Sequence, residues 1–190
     1  AGQIDEAART YALDRPYVLF VGTMEPRKNL RGLIAAMALL AGREIDLVLV
    51  GPEGWNEDVS KLLASLDGTG IGVHALGFLP PDALPPLFAG CAAFCFPSLR
   101  EGFGMPVLEA MAHGAPVVTS SGTATAEVAG DDALLVDPAD HEAIAKAIAR
   151  ILDDPALADD LRSRGRVRAA AYTWERTAAL TAAAYAEVAP

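Results

Sequence analysis

An α/β fold, with a parallel sheet of about six strands and helices on both faces, is predicted by two features of this 190-residue sequence. Nearly continuous apolar runs, such as YVLFVG at 17–22 and DLVLVG at 46–51, read as strands buried on both sides. Helical segments alternate with these runs over about 140 residues, the pattern of βα units rather than of hairpins.

In chain order, residues 1–15 (AGQIDEAARTYALDR) read as a polar to mildly helical linker or interdomain remnant ending at Pro16, and one domain spans 16–190. The strand at 17–22 leads through the loop TMEPRKN at 23–29 into a helix over 30–41. After the strand at 46–51 come a turn at 52–56, a helix over 57–66 and a break at DGTG, 67–70. A third strand covers 71–76, and Pro80 and Pro81 open a short helix over 82–89. The fourth strand is 92–96, the fifth 115–120 and the sixth 132–137, with a turn of helix at 126–129 after the loop SSGTAT. From 140 onward the pattern is helical in three segments. Right-handed crossovers bring the C-terminal ends of parallel strands to one edge, where ligands bind, so the charged loops 23–29 and 97–104 belong together in a Rossmann-like domain.

Composition narrows the function. No apolar run is long enough to cross a bilayer, and the first ten residues carry charge without a signal-type apolar core, so a cytoplasmic protein is expected. Cys91 and Cys95, read as lying on or beside one strand, are too far apart along it to bond and read as buried, reduced thiols. No metal site is expected. A net charge of −10 argues against a nucleic-acid partner. Arg162, Arg164, Arg166 and Arg168 read as a solvated helix surface, with contact to the inner face of a membrane as the alternative. His74, His113 and His141 have structural readings, Asp131-Asp132 and Asp153-Asp154 read as turn or capping residues, and Trp174 reads as a packing anchor.

The chemistry concentrates at PSLREGFGMPVLEAMAHGAPVV, residues 97–118. A turn with Gly102 and Gly104 lets backbone approach a ligand, and the unpartnered N–H groups of the helix starting near Met105 can receive an anion. Glu101 precedes the turn, and Glu109 lies about one helical turn inside, roughly 6 Å of rise from the anion-facing end. Carboxylates bind vicinal hydroxyls through charge-assisted hydrogen bonds, so a ligand with hydroxyls at both ends and negative charge between them fits: a nucleotide sugar.

Pro97-Ser98, Glu101-Gly-Phe-Gly104, Pro106, Glu109-Ala-Met-Ala112, Gly114 and Pro116-Val-Val118 resemble the donor-site signature of retaining GT-B glycosyltransferases of family 4 (group 1), in which seven residues separate two glutamates. The loop EPRKN resembles a branch rich in mannosyl- and related hexosyltransferases of polysaccharide assembly. The resemblance covers about residues 13–188 and implies one half of a GT-B fold, the donor-binding half. By this resemblance Lys28 and Arg27 near Gly22 meet the donor diphosphate, although Thr23 stands where the family usually has an arginine. Glu109 meets the ribose hydroxyls, Glu101 and the backbone of Gly102, Phe103, Gly104 and Met105 hold the sugar, and Phe78-Leu79 lies against the base. Glu101, Lys28 and Arg27 are the candidate catalytic residues, with no metal or other cofactor. The acceptor, a glycan or a lipid-linked glycan, would enter against an N-terminal domain outside this stretch, so the stretch alone is expected to be inactive. The alternatives are a GT-B relative with other chemistry, an epimerase or a phosphorylase, or a non-catalytic nucleotide-sugar binding module.

Overall fold

The computed structural model describes residues 2–55 and 58–188. The chain runs α1 (Gly2–Thr10), β1 (Tyr17–Val21), α2 (Leu30–Ala38), β2 (Asp46–Val50), α3 (Val59–Leu63), β3 (Gly72–Gly77), α4 (Leu84–Gly90), β4 (Ala93–Phe96), α5 (Met105–Ala112), β5 (Val117–Ser120), α6 (Ala124–Ala129), β6 (Leu134–Val136), α7 (His141–Asp153), α8 (Pro155–Ala170) and α9 (Trp174–Val188). Asn56 and Glu57, where a turn was expected to end and a helix to begin, lie outside the described residues.

Six strands form one sheet in the order β3-β2-β1-β4-β5-β6, and every pairing is parallel. All residues of β1, β2, β4 and β5 are buried, including the polar Asp46, Thr119 and Ser120, whereas the edge strands β3 and β6 keep exposed or half-exposed positions. Each fully buried Leu, Val, Ile or Phe contributes roughly 1.5–3 kcal/mol of transfer free energy, so these strands are the main stabilising mass. Phe20, Phe94 and Phe96 stack across β1 and β4 with ring centroids 5.9 Å apart, and Phe88 of α4 meets Phe94 edge-on at 5.4 Å.

The chain builds outward from β1 twice, first through β2 to β3 and then, after α4, through β4 and β5 to β6. Right-handed crossovers in opposite directions put the helices on opposite faces. Accordingly α2 packs with α3 and α7, while α5 gathers α4, α6 and α8 on the other side. The order reverses between β1 and β4, and the loops that leave these two strands flank the crevice there.

Residues 2–10, read from sequence as a mildly helical tail, form α1, which packs on α4 and buries Ala7; Leu13 is buried just beyond. At the opposite edge from the crevice, Asp46 is only 4% exposed. It accepts from Gly72 N at 3.1 Å, meets His74 Nε2 at 3.0 Å and pairs with Arg15. His74 thus has a structural partner far from the crevice.

Three surface expectations are corrected. The arginines of α8 are anchors rather than a solvated stripe. Arg162 donates to the carbonyls of Gly114 and Cys91, Arg164 bonds Asp132 and Asp160, and Arg168 donates to the carbonyls of Val128 and Glu127. As expected, Cys95 lies on β4 and Cys91 beside it, as the C-cap of α4. Both thiols are free and buried, and burial pushes the Cys91 thiol up to about 12. Trp174 anchors no packing: it is 78% exposed on α9, a helix without a buried residue. Asp153 is a partner as well as a turn residue, forming a two-pronged pair with Arg43, while Asp154 caps α8 as expected.

Candidate active site

The loop after β1 is shaped by proline and asparagine. Pro26 starts a single 3-10 turn, Pro26–Lys28, which Asn29 closes in the left-handed conformation at φ 58°. Asn tolerates that region better than other non-glycine residues because its short amide bonds locally. Its Oδ1 accepts from Gly32 N at 3.1 Å and caps α2, while its Nδ2 donates to the carbonyls of Pro97 at 3.0 Å and Pro138 at 2.7 Å. A Cβ at residue 32 would lie 2.6 Å from that Nδ2, which explains a glycine in the first turn of a helix. Sequence reading passed over Asn29, although a polar residue just before a periodic apolar segment is a helix-start signal. One side chain therefore fastens the loops after β1, β4 and β6.

The backbone joins the same loops, since Leu99 N donates to the Arg27 carbonyl at 2.8 Å. Lys28, 8% exposed, lies across the crevice: its Nζ is 2.7 Å from Glu101 Oε1 and 4.7 Å from the centroid of the Phe96 ring. Arg27 Nη1 is 3.0 Å from Glu101 Oε2, and its Nη2 is 2.5 Å from Glu25 Oε1, whose other oxygen accepts from Trp55 Nε1 at 3.1 Å. The topology does bring the basic pair to the glycine turn. Both oxygens of Glu101 are held by the two cations.

The two glycines have different work. Gly104, at φ 102°, precedes α5, and a Cβ there would lie 2.6 Å from Thr125 Cγ2, so it is needed for the left-handed turn and for packing on α6 rather than for approach of a ligand on that side. At Gly102 a Cβ would meet nothing within 4 Å. Met105 opens α5, with Pro106 in its first turn, and both Phe103 and Met105 are partly exposed. Beneath this turn Ser120 donates to the Ser98 carbonyl at 2.7 Å, and Ser98 is fully buried with its own hydroxyl unpaired among the described residues. Ser98 belongs to the motif read from sequence and Ser120 ends β5, but no sequence signal shows that the two meet.

Glu109 stands inside α5, half-buried, and desolvation raises its pKa above the usual carboxylate value against the opposing charge of His113. His113 lies flat against Phe88 at 6.0 Å. Gly22 follows β1 beside Lys28, with 3.8 Å between its would-be Cβ and the lysine Cε. Phe78, 74% exposed, and Leu79 follow β3. They share the edge but sit two strands from β1, about 10 Å away laterally, and do not join the cation cluster. A surface depression of about 700 Å³ lies elsewhere, between α2 and α7, where Asp137, Asp140 and Glu142 disfavour an anion. No group of three or more His, Cys, Asp or Glu among the described residues could hold a metal ion, and no helix among them is long and apolar enough to cross a membrane.

A doubly wound parallel sheet, with one lysine and one arginine meeting the turn before α5 at its switch point, is of the Rossmann-like class. Over residues 3–168 the sequence matches the family of glycosyl transferases group 1, and the chain belongs to that family. It is 42% identical over 173 residues to the O-antigen chain mannosyltransferase B of Escherichia coli, covering 89% of this chain and 45% of that protein. It is 39% identical over 165 residues to the MMP alpha-(1->4)-mannosyltransferase of Mycolicibacterium hassiacum, covering 84% and 40%. The chain thus spans less than half the length of these relatives. Among solved structures, sucrose-phosphate synthase from Thermosynechococcus elongatus superposes with a TM-score of 0.81 at 31% identity, over 97% of this chain and 48% of that one. The fold alone is shared with Anabaena HepE in complex with UDP and glucose, at a TM-score of 0.78 and 24% identity over 88% of this chain and 47% of that one. The sheet is therefore half of a GT-B architecture.

Proposed function

We propose that these residues are the donor-binding half of a retaining hexosyltransferase that moves a sugar from a nucleoside diphosphate to a glycan or lipid-linked glycan. The observation that carries this reading is the meeting of Lys28 and Arg27 with the Glu101–Met105 turn at the switch point. In the bound state the two cations and the N-terminus of α5 face the diphosphate, and they stabilise the charge that grows on it as the bond to the anomeric carbon breaks. Glu109 accepts from the ribose, Glu101 and the Gly102–Met105 backbone hold the sugar, and Phe78-Leu79 flanks the base. The names of the two relatives favour mannose as the sugar. Electrostatics from side chains and backbone suffice, so no metal is needed. Acceptor contacts lie outside these residues, and this stretch alone binds donor without transferring it. The protein works in the cytoplasm, where activated sugars are made available.

A thermal-shift panel of GDP-, UDP- and ADP-sugars tests the reading. A ligand at 100 times its Kd adds about 2.7 kcal/mol of stability, so one base is expected to raise Tm clearly, with and without a chelator. The rise should disappear in Lys28→Ala. No shift with any nucleotide sugar, or an undiminished shift in Lys28→Ala, contradicts the assignment.

A further inference from the structure

Resting on this donor-site reading, we infer that Glu101 is an internal counter-ion, held on Lys28 and Arg27 in place of the diphosphate and released to the sugar when a diphosphate takes over those cations. The argument starts from charge. Glu101 gives one oxygen to each cation, and its side chain is only 8% exposed. Lys28 is enclosed by Glu101 and the face of Phe96, and Arg27 gives its other edge to Glu25, itself fixed by Trp55. Two cations and two carboxylates balance, so the paired cluster offers a diphosphate little net attraction. A diphosphate brings at least two negative charges to the same donors, and a carboxylate cannot keep both contacts beside it without strong like-charge repulsion.

The turn can carry the carboxylate away. Gly102 follows it with open space on its side-chain side, and Phe103 beyond is 41% exposed. A free hexose therefore meets a carboxylate that is already engaged, whereas a ligand with a diphosphate frees the group that its own sugar needs. The exchange makes Glu101 a specificity determinant: it selects intact donor over free sugar, and by linkage the sugar end and the diphosphate end bind cooperatively.

The test is calorimetry of inorganic pyrophosphate, which needs no knowledge of the base, on the wild-type chain and on Glu101→Gln. Freed cations should bind pyrophosphate about tenfold more tightly in the variant, the scale of one charge-assisted hydrogen bond. In the same variant a nucleotide sugar should lose its affinity advantage over the matching nucleoside diphosphate. Pyrophosphate binding that is unchanged or weaker in Glu101→Gln overturns the exchange, and so does equal tightening in Glu25→Gln, which would reflect net charge alone. If Glu101→Gln fails to fold, the Glu101 carboxyl ¹³C resonance of the wild type serves: it should move when pyrophosphate is added, and a fixed resonance at saturation overturns the inference. Wild type that binds nucleotide sugars while Glu101→Gln shows no tightening defeats the exchange alone. Failure of both proteins to bind any diphosphate defeats the donor-site reading with it.

Discussion

Lys28 and Glu109 show how single residues are conditioned by where their elements end. Lys28 is buried because its 3-10 turn folds it back over Phe96, and such a charge is tolerated only with a close partner, which Glu101 supplies. At Glu109 desolvation outweighs the opposing charge of His113 and holds the carboxyl above the ordinary range. The sign of the pH effect follows. Between the ordinary carboxylate value and the raised one, the folded chain holds this proton and the unfolded chain does not, so stability falls as pH rises through that window. Donor binding runs the other way, because a ribose needs the ionised acceptor. Affinity for the nucleotide sugar is expected to weaken on acidification at a pH above the usual Glu range, and Glu109→Gln should remove that pH dependence along with much of the affinity. A pH series of calorimetric titrations on both proteins checks this; equal affinity and equal pH dependence would remove Glu109 from the site. Glu101 and Glu109 were legible from their spacing around the glycines. The engagement of Glu101 by both cations was not, because no spacing rule encodes a side-chain contact across 73 residues.

At the scale of elements, the strands were the most legible part. Nearly continuous apolar runs leave β1, β2 and β4 little choice, and the structure trims the expected bounds by a residue or so. The helices were legible where periodicity was long, as in α7 and α8. They were less so where irregular turns intervene: the helix expected over 82–89 is a 3-10 turn, Pro81–Ala83, followed by α4. The arginines of α8 were misread because spacing shows that residues two apart face differently but not what each face meets. Arg162 meets two carbonyls left free where α5 and α4 end, at Gly114 and Cys91, so α8 is locked across the C-terminal ends of two helices. Arg162→Ala is expected to lower stability by about 3 kcal/mol, since two charge-assisted bonds go and two carbonyls lose their donor. Urea denaturation measures it, and a midpoint equal to wild type would show the bonds to be idle. Arg166 offers the comparison within the same helix, since its guanidinium lies beside Gly114 without a role in the site.

At the scale of the molecule, the function rests on a reversal of strand order. Six parallel strands could be ordered in many ways, and the apolar runs say nothing about which; that β1 lies beside β4 comes from two crossover directions that only the packed structure reveals. Once they are neighbours, loops separated by about 70 residues become walls of one crevice, and Asn29 and Leu99 hold the walls together. The resemblance read from 97–118 could name the family, yet it could not tell that Phe78-Leu79 would stand two strands away from the cations. That separation is what a ligand with a base at one end and a diphosphate in the middle would span.

Backbone amide NMR of the wild-type chain, titrated with the nucleotide sugar that gives the largest thermal shift, tests this arrangement most directly. The account predicts that the largest shifts fall on residues 22–29 and 97–105, with a second group at 77–79, and that the acidic depression between α2 and α7 stays silent. Shifts concentrated in that depression, or a titration that leaves Lys28 and the Gly102–Met105 turn unmoved, would contradict it.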